Sequence, residues 1–411
     1  MLMSWEKVKL GDLYEVHNGL SKGGKFFGSG YPFLSFSTVF NNWFIPQNIK
    51  DLVQSTDKEQ ESYSIKKGDV FITRTSETAD ELGMSCVALK DYPQATYNGF
   101  CKRLRPIKSS YEVNPRYIGY YLRTSDFRGK FLGLSGTMTT RASLKNEDLL
   151  AMEILLPPLK EQKRIADILS AYDNLIENNQ KQIKLLEETA QRLYKQWFID
   201  LRYPGHETTP IVDGLPEGWS ITKIQDVCDN IGAGGTPSRS QKAFWQDGNI
   251  DWFKTQELCD CWLFESSEKI SEEGLKRSAA KMFPASSILM AIYASPTLGR
   301  LGILTKEACS NQAALCLQAD ESKVSNYWLY LKLFELRNRF NSIARGAGQQ
   351  NISGIIVKET EITLPAYSVM ENFTEMVKPF FEKQRTLQLQ NISLTQTRDR
   401  LLPKLMNGGV I

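Results

Sequence analysis

The sequence predicts a mixed α+β protein with two tandem globular domains, each followed by a long helix. Three observations predict this fold class: an internal repeat, two heptad patterns, and short apolar runs between glycine-rich loops. Runs such as 69–73 and 287–292 are typical of buried strands. Segments 115–122 and 325–334 follow turn residues and are predicted to be helical.

The repeat defines the domain organisation. Residues 5–13 return as 219–227, 115–122 as 325–332, and 153–157 as 361–365. The offsets are 214, 210 and 208 residues (219 minus 5, 326 minus 116, 365 minus 157), so the copies differ by small loop insertions. The predicted organisation is a first recognition domain at 1–157, a helix at 158–200, a linker and second domain at 201–365, and a second helix at 366–411.

Both long helices carry apolar residues at alternating spacings of four and three, which is the seam of a coiled coil. Each seam position in the second helix is a first-helix position plus 208, and this shared register favours antiparallel pairing within the chain, with an internal pseudo-twofold repeat. A parallel homodimer is the alternative. Polar positions include Asn179, Gln384, Asn391 and Arg398. The predicted apolar seam is Ile165, Leu169, Tyr172, Ile176, Ile183, Leu186, Leu193, Trp197, Phe373, Val377, Phe380, Leu387, Leu394, Leu401 and Leu405.

The composition argues against several classes of protein. Seven scattered cysteines and two histidines provide neither a disulfide framework nor the spacing of a zinc site. No apolar run approaches the roughly 18 residues of a membrane span, and the first residues lack the zones of a signal peptide, so a cytoplasmic protein is expected. The loop at 19–25 lacks the hydroxyl residue that a phosphate-binding loop needs after its lysine. No catalytic residue and no metal ligand is predicted.

Local charge is more informative than the net charge of +3. Residues 116–145 hold six basic side chains and one acidic one, and the matching residues 332–358 hold five and one. A basic excess at matched positions of both repeats predicts two phosphate-binding surfaces.

Several further motifs occur in a fixed order along the chain. They are Leu-Pro-Pro-Leu-Lys-Glu-Gln (156–162), Leu-Pro-Glu-Gly-Trp (215–219), Gly-Gly-Thr-Pro-Ser (234–238) with Phe-Trp (244–245) and Ile-Asp-Trp (250–252), Gly-Gln-Gln-Asn-Ile (348–352) and Leu-Pro-Lys-Leu-Met-Asn-Gly (402–408). Together they resemble the motifs of the specificity (S) subunit of type I restriction–modification enzymes. The first half departs from these motifs more, with Gly-Thr-Met-Thr-Thr-Arg at 136–141 where the second has Gly-Gln-Gln-Asn-Ile.

The resemblance implies a non-catalytic DNA-specificity subunit. Each domain would read one half of a bipartite double-stranded target, and the helix pair would set the spacer and dock two methyltransferase (M) subunits. Restriction (R) subunits can join. No cofactor is expected in this chain: S-adenosylmethionine would belong to the M subunits, and ATP and Mg²⁺ to the R subunits. The assembled complex would be an adenine-specific methyltransferase and a type I endonuclease.

Candidate DNA-binding residues are cations, amides and a serine in loops of both domains, because these groups hydrogen-bond base edges and phosphates. They are Lys22, Lys25, Arg74, Lys102, Arg103, Arg141, Ser238, Arg239, Arg300, Arg345, Gln349 and Gln350.

Two alternatives remain at this stage. One is the specificity subunit of a related restriction–modification complex outside type I, which would share these motifs. The other is a coiled-coil scaffold without DNA specificity.

Overall fold

The computed structural model describes residues 5–74, 82–135, 145–293, 297–344 and 351–408, without the side chains of 131–135. The chain divides into two compact units, one built from two separate stretches of sequence and the other from one central stretch. The first unit comprises Met1–Ile176 with Ser393–Ile411, and the second comprises Glu177–Ile392. The division therefore falls inside both long helices.

The first unit contains a four-stranded antiparallel sheet in the order β2-β8-β5-β6, a three-stranded sheet β4-β3-β7, and the pair β1-β9. Its strands are β1 (Glu6–Lys9), β2 (Tyr14–Asn18), β3 (Phe27–Leu34), β4 (Leu52–Val53), β5 (Val70–Thr73), β6 (Ser85–Val87), β7 (Thr96–Tyr97), β8 (Cys101–Pro106) and β9 (Glu153–Leu156). Its helices are α1 (Phe36–Asn41), α2 (Asp57–Ser62), α3 (Pro115–Tyr121), α4 (Ser125–Ser135), α5 (Asn146–Ala151) and the start of α6 (Leu159–Tyr194).

Local sequence explains these elements. All four residues of the central strand β5 are buried, as its β-branched and aromatic composition predicts. Helix α3 begins where the side chain of Asn114 accepts hydrogen bonds from the backbone of Arg116 and Tyr117, with Pro115 in the first turn. Thr56 and Glu59 form a capping box at the start of α2.

The second unit repeats this arrangement. Its main sheet has the order β13-β20-β17-β18-β15, its smaller sheet is β16-β14-β19, and β12 pairs with β21 as β1 pairs with β9. The strands are β10 (Ile211–Val212), β11 (Leu215–Pro216), β12 (Ser220–Lys223), β13 (Cys228–Ala233), β14 (Ile250–Phe253), β15 (Cys261–Leu263), β16 (Lys269–Ile270), β17 (Ile288–Ala291), β18 (Leu301–Leu304), β19 (Cys309–Ser310), β20 (Ala314–Ala319) and β21 (Glu361–Leu364). The helices are α7 (Glu272–Lys276), α8 (Asn326–Ile343), α9 (Gly354–Glu359) and α10 (Tyr367–Met406).

The long helices α6 and α10 pack antiparallel within each unit. In the second unit, Asn179 donates to the Oδ1 of Asn391 at 3.0 Å, and the ring of Trp197 lies 5.6 Å from that of Phe373. Residue numbers thus increase along one helix while those of the contacting residues decrease along the other, as antiparallel packing requires. In the first unit, Asp173 and Arg398 form an ion pair at 2.7 Å. Every predicted apolar seam residue is buried or half-buried.

The globular part of each unit anchors to the helix pair at matched positions with different chemistry. In the first unit, the Tyr120 hydroxyl donates to the Asp173 carboxylate, and the Arg398 guanidinium lies 4.9 Å from the Trp43 ring centroid. In the second unit, the matching Tyr330 ring lies 5.5 Å from Phe381, and Trp262 donates through its Nε1 to the carbonyl of Phe381.

Glu187 on α6 gives the second unit a pH-dependent contribution to stability. Burial raises the pKa of its carboxyl from 4.5 to about 7, and the negative charges of Asp260 and Glu188 add to the rise. Between these two pH values the folded protein keeps a proton that the unfolded chain releases. The free energy of unfolding therefore falls as the pH rises through this window.

We expect Glu187→Gln to stabilise the protein at pH 8, by up to roughly 2–3 kcal/mol, because the amide carries no charge to bury. At pH 4 the variant and the parent protein should have equal stability. Urea unfolding at both pH values measures this. Glu177→Gln, which removes an exposed ion pair with Lys181 on the same helix, is the control and should show no gain at pH 8.

Candidate nucleic-acid interface

One end of the main sheet in the first unit gathers polar side chains from four chain segments; we call it the first edge. It is formed by Asn18, Arg74, Phe100, Lys102 and Asn146. The Arg74 Nη1 donates to Asn18 Oδ1 at 3.3 Å, and the Lys102 amine donates to Asn146 Oδ1. Burial, followed by the nearby charge of Arg74, lowers the pKa of Lys102.

The second unit has the same backbone arrangement at the matching end of its sheet, which we call the second edge. It is formed by Ala233, Ile292, Ala313, Leu315 and Gly354. The backbone N–H of Ile292 donates to the carbonyl of Ala313 at 2.9 Å, as that of Arg74 donates to Phe100 at 3.0 Å.

The hydrogen bond that closes the connection between β5 and β6 recurs between β17 and β18. The backbone N–H of Gly83 donates to the carbonyl of Thr73 at 2.9 Å, and that of Gly299 donates to Ala291 at 2.8 Å. Both glycines have left-handed backbone conformations, with φ of 73° and 78°, where a side chain would be strained.

The side chains of the two edges differ at each matched position. The first edge is polar and charged, whereas the second is mostly apolar. Two of the matched pairs form one contact in each edge. A Cβ on Gly354 would lie 3.3 Å from the Leu315 side chain, and the matching Asn146 accepts a hydrogen bond from Lys102. In order from first edge to second, the pairs are Asn18 and Ala233, Arg74 and Ile292, Phe100 and Ala313, Lys102 and Leu315, and Asn146 and Gly354.

Polar groups beside the second edge come from other positions. The Thr236 hydroxyl donates to the Gln312 side chain, and both residues are exposed. Tyr293 forms an isolated bridge with Asn351. Arg300, at the start of β18, is half-buried. The predicted residues Arg141, Arg345, Gln349 and Gln350 lie outside the described residues.

Three predicted DNA-binding residues of the first unit, Lys22, Lys102 and Arg103, already have protein partners. Lys22 pairs with Glu59 at 2.7 Å, and Lys102 is bound as described above. Arg103 is 3% exposed and donates to the carbonyl of Ser64 at 2.8 Å. Lys25 is exposed, with its amine 5.1 Å from the Phe26 ring.

In the second unit, Arg239 stacks over Trp245 at 3.6 Å and pairs with Glu268 at 2.7 Å. The carbonyl of Ser238 accepts a hydrogen bond from the Trp245 indole, while the Ser238 side chain is exposed. These contacts hold the loop after β13 against the smaller sheet.

The repeated basic regions are less available to phosphate than the sequence indicated. The Arg123 guanidinium donates to four backbone carbonyls, those of Val39, Phe40, Asn42 and Ser85. In the corresponding basic region of the second unit, Arg337 forms a two-point ion pair with Asp260. A cation bound in this way stabilises the fold, because removing it would leave carbonyls or a carboxylate unpaired.

Asn18, Phe100 and Asn146 are not among the residues predicted from the sequence. The available signal was the mismatch between the repeats: each of these residues aligns with alanine or glycine in the second copy. Among the residues that the structure describes, no group of three or more His, Cys, Asp or Glu is placed to hold a metal ion. Within the same ranges, no helix is long and apolar enough to cross a membrane.

Tandem copies of one mixed α+β domain, each packed on an antiparallel helix pair, define a class of two-domain proteins. The family model described as the type I restriction modification DNA specificity domain matches residues 3–188 and again residues 216–392. Because these matches cover most of the chain, the protein belongs to this family. The family and the fold class predicted from the motifs and the repeat are thereby confirmed.

Individual relatives agree over nearly the whole length. The specificity subunit of the type I restriction enzyme MjaIX from Methanocaldococcus jannaschii is 26% identical, and the match covers 98% of this chain and 93% of the relative. The HindI specificity subunit from Haemophilus influenzae is 22% identical with full coverage of both. The crystal structure of an S subunit from M. genitalium shares the fold, with a TM-score of 0.57, 13% identity, and coverage of 98% of this chain and 96% of that one.

We expect Arg103→Ala to destabilise the first unit by about 2 kcal/mol, since it removes a charge-assisted hydrogen bond to a buried carbonyl. It also removes a cation that lies 5.4 Å from the Tyr97 ring. Lys25→Ala, on the exposed loop, should change stability by less than about 0.5 kcal/mol. Urea unfolding of both variants tests the contrast, and equal stabilities would contradict a structural role for Arg103.

Proposed function

We propose that this chain is the DNA-reading subunit of a restriction–modification complex, and that each unit reads one half of a bipartite double-stranded target. The observation that carries the proposal is the pair of edges. They share backbone hydrogen bonds and strand register, yet differ in side chain at every matched position. A common backbone that carries different side chains is what two readers of unlike base sequences require, because base edges are distinguished by donor, acceptor and methyl patterns.

The helix pair is proposed to set the gap between the half-sites and to dock the methyltransferase (M) subunits. Support comes from the seam, which continues through both units, and from its polar contacts, which fix the register of α6 against α10. A helix of this length extends roughly 1.5 Å per residue, which is enough to match about one turn of DNA, roughly 34 Å.

The chain itself is proposed to be non-catalytic. S-adenosylmethionine would be bound by two M subunits, and ATP and Mg²⁺ by restriction (R) subunits where these join. In this arrangement the present chain selects the DNA sequence and its partner subunits carry out the catalysis. The resemblance in motifs and the family membership support this division of labour.

Methylome sequencing of a host that expresses this chain with its M subunit tests the central proposal. We expect a single bipartite motif, methylated on adenine, with two specified parts separated by unspecified bases. Omitting this chain should abolish the methylation. A methylase that marks the same sites without this chain, or marks no motif with it, would contradict the proposal and favour a scaffold without DNA specificity.

Arg74 is the half-buried cation of the first edge, and it donates to the neutral side chain of Asn18. Replacing it with methionine keeps the aliphatic stem and removes the charge. We expect weaker binding by the assembled complex and a slope of log affinity against log salt that is smaller by roughly one unit. Lys108→Met, an exposed cation beyond the opposite end of β8, should leave the slope unchanged. Fluorescence anisotropy across a salt series measures both.

A further inference from the structure

Phe100 is a large apolar side chain that the fold presents to solvent at the first edge. It is 59% exposed, whereas the residues on either side, Gly99 and Cys101, are buried. Scattered exposed apolar residues are common on protein surfaces. Exposure alone therefore says little, and three further observations give this one meaning.

The backbone of Phe100 is fixed on both sides. Its N–H donates to the Asn98 side chain at 2.8 Å, and its carbonyl accepts from the N–H of Arg74 at 3.0 Å. The turn that carries it is closed by a hydrogen bond from Cys101 to the carbonyl of Asn98 at 2.9 Å. The side chain therefore projects from a defined place.

Close packing also prevents this turn from moving aside. A Cβ on Gly99 would lie 2.2 Å from the Ser21 hydroxyl, and one on Gly19 would lie 2.1 Å from the carbonyl of Asn98. The two segments interlock without room for even a methyl group. A solvent-facing aromatic ring on so rigid a support is preorganised for contact.

The surroundings indicate what the ring would contact. Arg74, whose backbone N–H binds the carbonyl of Phe100, is half-buried on the same edge, and its guanidinium donates to the neutral side chain of Asn18. A cationic edge attracts a polyanion. The matched residue of the second edge is Ala313, which is 8% exposed. The shared fold therefore does not require an aromatic ring at this position, and the Phe100 ring is a difference between the two units.

We propose that Phe100 is a specificity-determining residue that packs against the apolar surface of a DNA base in the half-site read by the first unit. This inference rests on the proposed function, and it adds a chemical class of contact to it. Two apolar surfaces on duplex DNA fit: the methyl group of thymine in the major groove, and the face of a base at an opened step, against which an apolar wedge can insert.

The test compares three variants of the full chain, each assembled with the M subunit: Phe100→Ala, Phe100→Leu and Ile107→Ala. Ile107 is the matched control, because it is also exposed, at 40%, but lies just beyond the opposite end of β8. Methylome sequencing should show that Phe100→Ala relaxes one position of one half-site, with about a tenfold loss of discrimination. Phe100→Leu should retain part of it, and Ile107→Ala all of it.

Two binding measurements with Phe100→Ala distinguish the sources of apolar contact. If the ring packs on a methyl group, replacing one thymine by uracil weakens binding of the parent protein about tenfold and leaves Phe100→Ala unaffected. If it packs on a base face, 2-aminopurine at that step brightens on binding of the parent protein but not of Phe100→Ala.

The inference is overturned if Phe100→Ala methylates the parent motif with unchanged discrimination. It is also overturned if Phe100→Ala relaxes positions in both half-sites. Thermal unfolding of each variant confirms that the turn is folded. The two failures are distinguishable. If the proposed function is wrong, the parent complex shows no bipartite motif. If only this inference is wrong, the parent complex shows the motif and Phe100→Ala leaves it unchanged.

Discussion

The pairing of α6 with α10 is the constraint on which both units depend. The core of the first unit includes Ile165 and Leu169 from α6 together with Leu402 and Leu405 from α10. The core of the second unit includes Ala190 and Tyr194 from α6 together with Phe373 and Val377 from α10. Neither sheet buries its inner surface without side chains from both helices. Folding of each unit therefore requires the seam to be in register, which explains why heptad spacing survives where the domain sequences have diverged.

Polar groups within the seam make that register specific. A slip of one heptad would break the hydrogen bond between Asn179 and Asn391 and would separate Asp173 from Arg398. Each unpaired buried group costs about 1–3 kcal/mol, and more when it carries a charge. Such a pairing is less stable than a wholly apolar seam but permits fewer alternatives. For a pair of helices proposed to measure a distance, a single register matters more than maximal stability.

The helices and the repeat were predictable from sequence because both leave periodic signals that do not depend on tertiary detail. The polar edge was only partly predictable. Arg123, Arg337 and Arg103 looked like phosphate ligands, yet they donate to the carbonyls and carboxylates of their own unit. A sequence shows that a cation is present but not whether its partner lies within the fold. Asn18 and Phe100 were missed for the opposite reason: neither carries a charge, and only the strand register places them beside Arg74.

The anchoring of each globular part to the helices also has a consequence for how such chains can change. Tyr120 meets a carboxylate at position 173, whereas the matching Tyr330 meets the Phe381 ring. Both domains present a tyrosine at this anchor, so the chemistry that differs belongs to the helices and not to the domains. A domain moved to the other place would meet a different helix residue through the same side chain. Recombination between related genes can thus exchange the domains while the helix pair, and with it the separation of the two units along the chain, is inherited unchanged.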